Sequence, residues 1–504
     1  MEHAMKEQSQ CINDCSRCDN IECGDDDTPH EECGVFAIYG HPNPSEMAYL
    51  GLYALQHRGQ ESSGIVTSDG SDLYYHRGMG LVSEVFSDQG MFKYLKGRSA
   101  IGHNRYSTTG SSKMANVQPL LAADREGPVA IGHNGNLTNT REIHQKLLDN
   151  GAIFQTTLDS EVIIHLIAMS RKETFEERLI DALSQVKGAY CLVIITKDKV
   201  YAARDPHGFR PLCLGKTESS WAVASETCAL DIIDAEYVRE VEPGEIVVID
   251  DDGVKSLKPF EKHAKSFCIF EYVYFSRPDS IIFGECVDKA RRKIGRTLAE
   301  EYPVDADIVI SVPDSSNTAA LGYARASGVP YEIGMIRNHY IGRTFIHPSQ
   351  VTREAKVRIK FNPIRGVLEG KRVVVVDDSI VRGTTFKKIN HLLRKAGAKE
   401  IHLRISSPPI IAPCYYGMDF PTKEELMAST MSIEEIRQYL GVDSLGYLSL
   451  EGLSKSVPQD GNSYCDACFS GNYPTELPDD ISKGCLEDAT GNSRLIDATT
   501  LRYK

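Results

Sequence analysis

Cys33 sits in the run Glu31-Glu32-Cys33-Gly34-Val35-Phe36, just beyond a polar, acidic opening segment. Removal of residues 1–32 as a propeptide would turn this cysteine into an N-terminal residue with its own base. The thiol is then the nucleophile and the new α-amino group the proton acceptor. With pKa values near ~8.5 and ~7.7–8, the pair is poised for transfer around neutral pH. Four punctuated motifs follow: Leu55-Gln56-His57-Arg58-Gly59-Gln60-Glu61, Gly102-His103-Asn104-Arg105-Tyr106-Ser107, Gly132-His133-Asn134-Gly135-Asn136 and Thr157-Leu158-Asp159-Ser160-Glu161. Breaking a side-chain amide needs donors for a tetrahedral oxyanion. Asn134 can donate from its side chain, and Gly135 from a backbone N–H that no Cβ obstructs. A free amino acid substrate also needs its two charges held. Arg105 suits an α-carboxylate by bidentate pairing, and Asp159 suits an α-ammonium. Plainer readings exist: the His-Asn-Gly-Asn run as a tight turn, Arg105 as a surface ion pair, Asp159-Ser160 as a helix cap. His57 and His103 read as structural, because the free amine already supplies the base.

A second constellation lies in Lys371-Arg372-Val373-Val374-Val375-Val376-Asp377-Asp378-Ser379-Ile380-Val381-Arg382-Gly383-Thr384-Thr385. Four valines predict a buried parallel strand with two carboxylates at its C-terminal end. A loop then leads into a predicted helix, Phe386 to Lys395, and a further strand, Ile401–Ile405, completing a βαβ unit. N–H groups and hydroxyls from Arg382, Gly383, Thr384 and Thr385, at a helix start, make an anion cradle for a sugar 5′-phosphate. Asp377 and Asp378 can take ribose hydroxyls and help hold Mg²⁺, a hard ion that prefers oxygen ligands. The plain alternative is an ordinary strand–turn–helix with acidic caps.

The elements that must position these groups follow from periodicity. Val35–Tyr39, Val129–Ile131, Cys191–Thr196 and Trp221–Ala224 read as strands, with an amphipathic helix over Ser160–Ser170. Ile308–Val312 is a further strand. The chain has 504 residues, 41% apolar and 25% charged, the usage of a globular protein of several domains. A net charge of −14 argues against a nucleic-acid partner. No apolar run approaches the ~18 residues that span a bilayer, and the opening segment lacks the basic-then-apolar order of a secretory signal. The expectation is therefore no membrane and a cytoplasmic compartment. There the 14 cysteines read as thiols, ligands or catalytic sulfur rather than disulfides. Cys191 and Cys213 read as core residues; Cys228, Cys286 and Cys485 receive no role. Cys11, Cys15, Cys18 and Cys23 form either a small metal clip or part of a flexible segment lost with the propeptide. The scarcity of apolar residues around them favours the second. Cys465-Asp466-Ala467-Cys468 is a C-x-x-C pair; with the distant Cys268 and Cys414, its spacing alone does not define a metal site.

The first set of motifs resembles the glutamine amidotransferase family of N-terminal-nucleophile hydrolases. That resemblance implies an αββα fold, two antiparallel sheets between helices, over residues 33–262. It implies Cys33 as nucleophile, Asn134 and Gly135 as oxyanion hole, and Arg105 and Asp159 as glutamine clamps. The second set, with Ser379, resembles the type I phosphoribosyltransferases, which implies a parallel-sheet domain over residues 263–504 that binds 5-phosphoribosyl 1-pyrophosphate (PRPP). The match implies Ser315 as a further ligand or neighbour of Mg²⁺. It implies a loop over Asn338–Phe345 that covers PRPP, with Arg343 and Arg358 as candidates for the pyrophosphate. The four cysteine contexts, Cys268, Cys414, Cys465 and Cys468, resemble the iron–sulfur class of the amidophosphoribosyltransferase family. That class implies a cleaved propeptide, one 4Fe–4S cluster and one Mg²⁺ per subunit, a homotetramer, and inhibition by purine nucleotides. The implied reaction takes ammonia from glutamine to C1 of PRPP through an internal passage, opening de novo purine synthesis. A nonenzymatic PRPP-binding regulator would need no Cys33 half, and glucosamine-6-phosphate synthase would lack Asp377-Asp378 and the loop after it.

Overall fold

The computed structural model describes residues 33–106, 112–338, 361–418, 420, 422–459, 463–478 and 486. Among these residues, thirteen strands build the first half. They are β1 (Gly34–Tyr39), β2 (Ser62–Ser68), β3 (Leu73–Met79), β4 (Ser99–Arg105), β5 (Leu120–Asp124), β6 (Gly127–Leu137), β7 (Gly188–Ile195), β8 (Val200–Arg204), β9 (Cys213–Lys216), β10 (Trp221–Ala224), β11 (Glu236–Glu240), β12 (Ile246–Asp250) and β13 (Gly253–Leu257). Seven form a sheet in the order β11-β9-β10-β1-β4-β2-β3, and six form another in the order β13-β12-β8-β7-β6-β5. Neighbours in both sheets run antiparallel.

Strand periodicity shows why these sheets stack. In β1, Phe36 and Ile38 face a core shared with the helix Pro44–Ala54, while Val35 and Ala37 face the other sheet. In β7, Cys191, Val193 and Ile195 meet that same inter-sheet layer, while Tyr190, Leu192 and Ile194 turn toward the helices Ser160–Met169 and Phe175–Leu183. Both strands are apolar on both faces because each is covered twice. The result is helix, sheet, sheet, helix, the predicted four layers. The helix Phe175–Leu183 starts on a capping box, in which Thr174 and Glu177 each accept the other's backbone N–H.

The second half centres on a parallel sheet with strands ordered Ile308–Ser311, Arg372–Asp377, Glu400–Ile405, Ser444–Tyr447. Val373 and Val375 face one core and Val374 and Val376 the other, all four fully buried. Helices Val287–Glu301 and Asn317–Ser327 cover one face, and Thr384–Lys395 covers the other through Phe386, Ile389 and Leu393. Residues 258–266, where the expected boundary at 262 lies, carry no helix or strand.

The halves meet over a buried ionic cluster. Arg58 donates to Glu226 of the first half and to Glu271 of the second, where both Nη atoms reach its carboxylate at 3.1 and 2.6 Å. Glu271 opens a π-helical turn, Glu271–Phe275, and also accepts from Ser276 Oγ at 2.6 Å. Glu226 in turn accepts from the Arg277 N–H and from Ser280 Oγ.

Two candidate active sites

Cys33 immediately precedes β1 and is 5% exposed. Its Sγ lies 3.5 Å from the Tyr106 carbonyl, and burial pushes the thiol up to about 12, with Arg105 pulling the other way and Glu61 and Asp159 adding to the rise. A thiol held that high is inert at neutral pH without a dedicated base. The Arg58 Nε also points at the Cys33 carbonyl, at 3.4 Å.

The His-Asn-Gly-Asn run is not a turn. It lies within β6, paired to β7 with Asn134 opposite Cys191 and Gly135 opposite Tyr190. Asn134 is 1% exposed, and neither its Nδ2 nor its Oδ1 has a partner among the described residues. A buried primary amide left without bonds is costly, so such a group marks a place where a ligand completes it. Gly135 has φ +144°, and a Cβ there would stand 2.2 Å from the Ala189 carbonyl oxygen. Only glycine fits.

Arg105, at the end of β4, is buried rather than a surface residue, and its Nη1 meets Glu61 Oε1 at 2.5 Å. Asp159 precedes the helix Ser160–Met169 yet makes no capping bond. Its carboxylate instead accepts from the Leu137 N–H at 3.0 Å and faces His133 Nδ1 at 3.3 Å. Burial alone would raise Asp159, but His133 and the N–H donors overcome it and hold the carboxyl below its usual range. His133 is the mirror case: burial opposes its charge, and Asp159 raises it on balance. Its Nε2 faces the Ala189 carbonyl at 3.3 Å, so both ring nitrogens meet acceptors. Glu61 and His133, which contact Arg105 and Asp159, were passed over by residue-type reasoning, although both stand inside the quoted motifs. His103 is fully buried, bonds the His133 carbonyl at 2.9 Å and is pushed down to about 3 by burial, which suits structure rather than proton transfer. His57 is tied to Glu226 at 2.7 Å.

The second site forms at the C-terminal edge of the parallel sheet, where open α/β sheets receive ligands. Asp377 ends its strand and accepts from the Asp378 N–H. Asp378 accepts from Ser315 Oγ and Ser379 Oγ, each at 2.6 Å, and burial raises its carboxyl. Ser316, absent from the sequence expectation, donates to Asp377 at 3.1 Å. Gly383 caps the helix Thr384–Lys395, two residues earlier than predicted, leaving Thr384 exposed and Arg382 and Thr385 half-buried around the helix start. Arg382 pairs with Glu425 at 3.1 Å. Arg343, Arg358 and most of the predicted Asn338–Phe345 loop lie outside the described residues, as do Cys11, Cys15, Cys18 and Cys23.

Cys268, Cys414, Cys465 and Cys468 line one cavity with Phe209, Arg210 and Tyr416. A short parallel pairing sets Cys268 opposite Cys465, and the Ile411 and Ala412 N–H groups bond the Cys468 carbonyl. Sequence spacing gave no sign of this convergence. No three His, Cys, Asp or Glu side chains among the described residues are arranged to hold a single metal ion. The nine described cysteines form no disulfide, and Cys191, Cys213 and Cys228 are buried in the core. No helix among the described residues is long and apolar enough to cross a membrane.

A glutamine amidotransferase domain family matches residues 103–231, and a phosphoribosyl transferase domain family matches residues 284–406. Amidophosphoribosyltransferase 1, chloroplastic, of Arabidopsis thaliana is 55% identical over 90% of this chain and 80% of its own length. The amidophosphoribosyltransferase of Bacillus subtilis is 52% identical over 90% of this chain and 96% of its own. The solved glutamine PRPP amidotransferase from B. subtilis, complexed with ADP and GMP, superposes with a TM-score of 0.85 at 50% identity, covering 90% of this chain and all of that one. With both domains and both sites in one chain, the molecule belongs to the amidophosphoribosyltransferase family, enzymes that use glutamine and PRPP in the first step of purine biosynthesis.

Proposed function

We propose that Cys33, once freed as the N-terminal residue by cleavage after Glu32, attacks the side-chain amide of glutamine. Its α-amine takes the thiol proton and returns it to the departing nitrogen, leaving a γ-glutamyl thioester that water hydrolyses to glutamate. Arg105, oriented by Glu61, pairs the substrate α-carboxylate, and Asp159, backed by His133, takes the α-ammonium. Asn134 and the Gly135 N–H stabilise the oxyanion; losing one such donor typically costs about 2.7–4 kcal/mol of barrier. The single observation that carries this assignment is the buried, unpartnered amide of Asn134 beside a glycine that tolerates no side chain.

Ammonia passes inside the protein to C1 of PRPP, where it displaces pyrophosphate with inversion to give 5-phosphoribosylamine. Asp377, Asp378, Ser379, Arg382, Gly383, Thr384 and Thr385 hold the ribose and 5′-phosphate, with Arg343 and Arg358 assigned to the pyrophosphate. The carboxylates of Asp377 and Asp378, with the Ser315 hydroxyl, are the oxygen donors a single Mg²⁺ prefers. Two carboxylates and a hydroxyl leave positions for water and substrate oxygens to complete the shell. Bound there, Mg²⁺ offsets the charge of the leaving pyrophosphate. The four thiols around one cavity match the ligand count of a 4Fe–4S cluster, one per subunit, in a structural role, since neither half-reaction moves electrons. Purine nucleotides carry the same ribose 5-phosphate as PRPP and fit the same cradle as inhibitors. We further assign a homotetramer and the cytoplasm; the chloroplastic relatives mark the alternative compartment.

Incubation of processed protein with glutamine, PRPP and Mg²⁺ must release pyrophosphate and glutamate together. Glutaminase turnover equally fast with and without PRPP would refute the internal coupling. Zinc without iron or sulfide in anaerobically purified protein would refute the cluster.

A further inference from the structure

The oxyanion-hole strand is gripped from the other half of the molecule. Asn136, one residue past Gly135, donates from Nδ2 to the Tyr415 carbonyl at 3.0 Å. A Cβ built on Gly417 would sit 3.1 Å from both Cα and C of Gly135 and 3.3 Å from an Arg210 Nη atom. A side chain on Gly417 would therefore press on the Gly135 backbone, and its absence lets the two glycines stand close together. The Tyr415–Gly417 segment is itself fixed. Arg210 donates Nε and Nη2 to the Tyr416 carbonyl at 3.2 and 2.9 Å. The Tyr416 ring stacks on Phe209 with centroids 4.1 Å apart, and the Tyr416 N–H bonds Cys414 Sγ at 3.3 Å. A Cβ on Gly135 would itself stand 2.2 Å from the Ala189 carbonyl oxygen.

We infer that the Tyr415–Gly417 segment of the phosphoribosyltransferase half is a positioning element for the glutaminase oxyanion hole, acting through Gly417 on Gly135 and through Tyr415 on Asn136. The inference rests on the assignment of Asn134 and Gly135 made above. An oxyanion donor works only if its N–H is held where the tetrahedral oxygen will form, and small misplacements are costly. Gly135 has no side chain to anchor it, so its direction is set by its backbone surroundings: the pairing with β7 and the nearby Gly417 of the second half. The glutamine clamps are held from within the first half, Arg105 by Glu61 and Asp159 by Leu137 and His133. The segment therefore governs turnover rather than glutamine binding.

The test uses processed full-length Gly417→Ala and Asn136→Ala, assayed for glutamine hydrolysis and, separately, for PRPP amination with ammonium. Gly417→Ala is expected to lower glutaminase kcat by about tenfold or more. Asn136→Ala is expected to lower it less, with KM for glutamine and ammonia-dependent synthesis unchanged in both. Wild-type kcat in both variants overturns the inference, as does a parallel fall of both activities with a lowered Tm, which would mean general damage to the fold. Cys33→Ala run alongside separates the two levels. If it keeps glutaminase activity the site assignment fails; if it loses that activity while Gly417→Ala stays normal, only the positioning role fails.

Discussion

The two sites are built on opposite plans. The proposed glutaminase groups Cys33, Arg105, Asn134 and Asp159 are all at most 5% exposed and stand on or beside strands of a two-sheet sandwich. The phosphoribosyl site is a loop at the open edge of a parallel sheet, with Thr384 exposed and Arg382 half-buried. The difference follows from the ligands. Glutamine is small, and its reaction needs a dry pocket with fixed donors, which strands supply. PRPP carries many charges and a large leaving group, so it needs backbone N–H groups on an open edge, which a helix start supplies.

Cys33→Ala gives the sharpest break between the plans. It should cut glutamine-dependent synthesis by about 10⁴-fold or more while ammonia-dependent synthesis persists. Parallel loss of both in a pyrophosphate-release assay would merge the sites. Asp378→Asn should do what Cys33→Ala does not, lowering both activities by about a hundredfold or more, because both reactions end on PRPP. Asn134→Ala should lower glutaminase kcat by about a hundredfold with little change in KM, measured by glutamate formation at saturating glutamine. Arg105→Lys keeps the charge but loses the fork, so KM for glutamine should rise about tenfold, equivalent to about 1.4 kcal/mol of binding. The smallest effect concerns the interface between the halves. Burial would raise Glu226 and Glu271, but Arg58 and their other partners hold both below the ordinary 4.5. A depressed folded-state pKa contributes stability that is present above the unfolded value and lost as pH falls below it. Thermal stability should therefore decline below about pH 4.5, with a shallower slope in Glu271→Gln; identical slopes would remove Glu271 from the account.

Much of this was legible in the residues. The valine run of residues 373–376 specified a strand covered on both faces, and the structure buries all four completely. The strands around Phe36 and Cys191 were visible for the same reason. The Asn134-Gly135 run was readable as chemistry but not as geometry, because its residues favour turns locally and only pairing with β7 holds them extended. Glu61 and His133 escaped notice because their importance lies in what they orient, which needs three dimensions. The meeting of Cys268 and Cys414 with the late C-x-x-C pair was beyond local reading altogether, since nearly two hundred residues of fold bring them to one cavity. Family resemblance proposes the quartet, and the fold gathers it around a shared cavity.

Arg58 belongs to the first half but is charge-matched partly by Glu271 of the second. A fragment ending before residue 263 would keep Arg58 and Glu226 but lose Glu271, and would open to water an ionic cluster that the whole chain keeps buried. The glutaminase unit is therefore poor material for domain shuffling. Transplanted onto another acceptor domain, it would need a graft that brings its own carboxylate to the same spot.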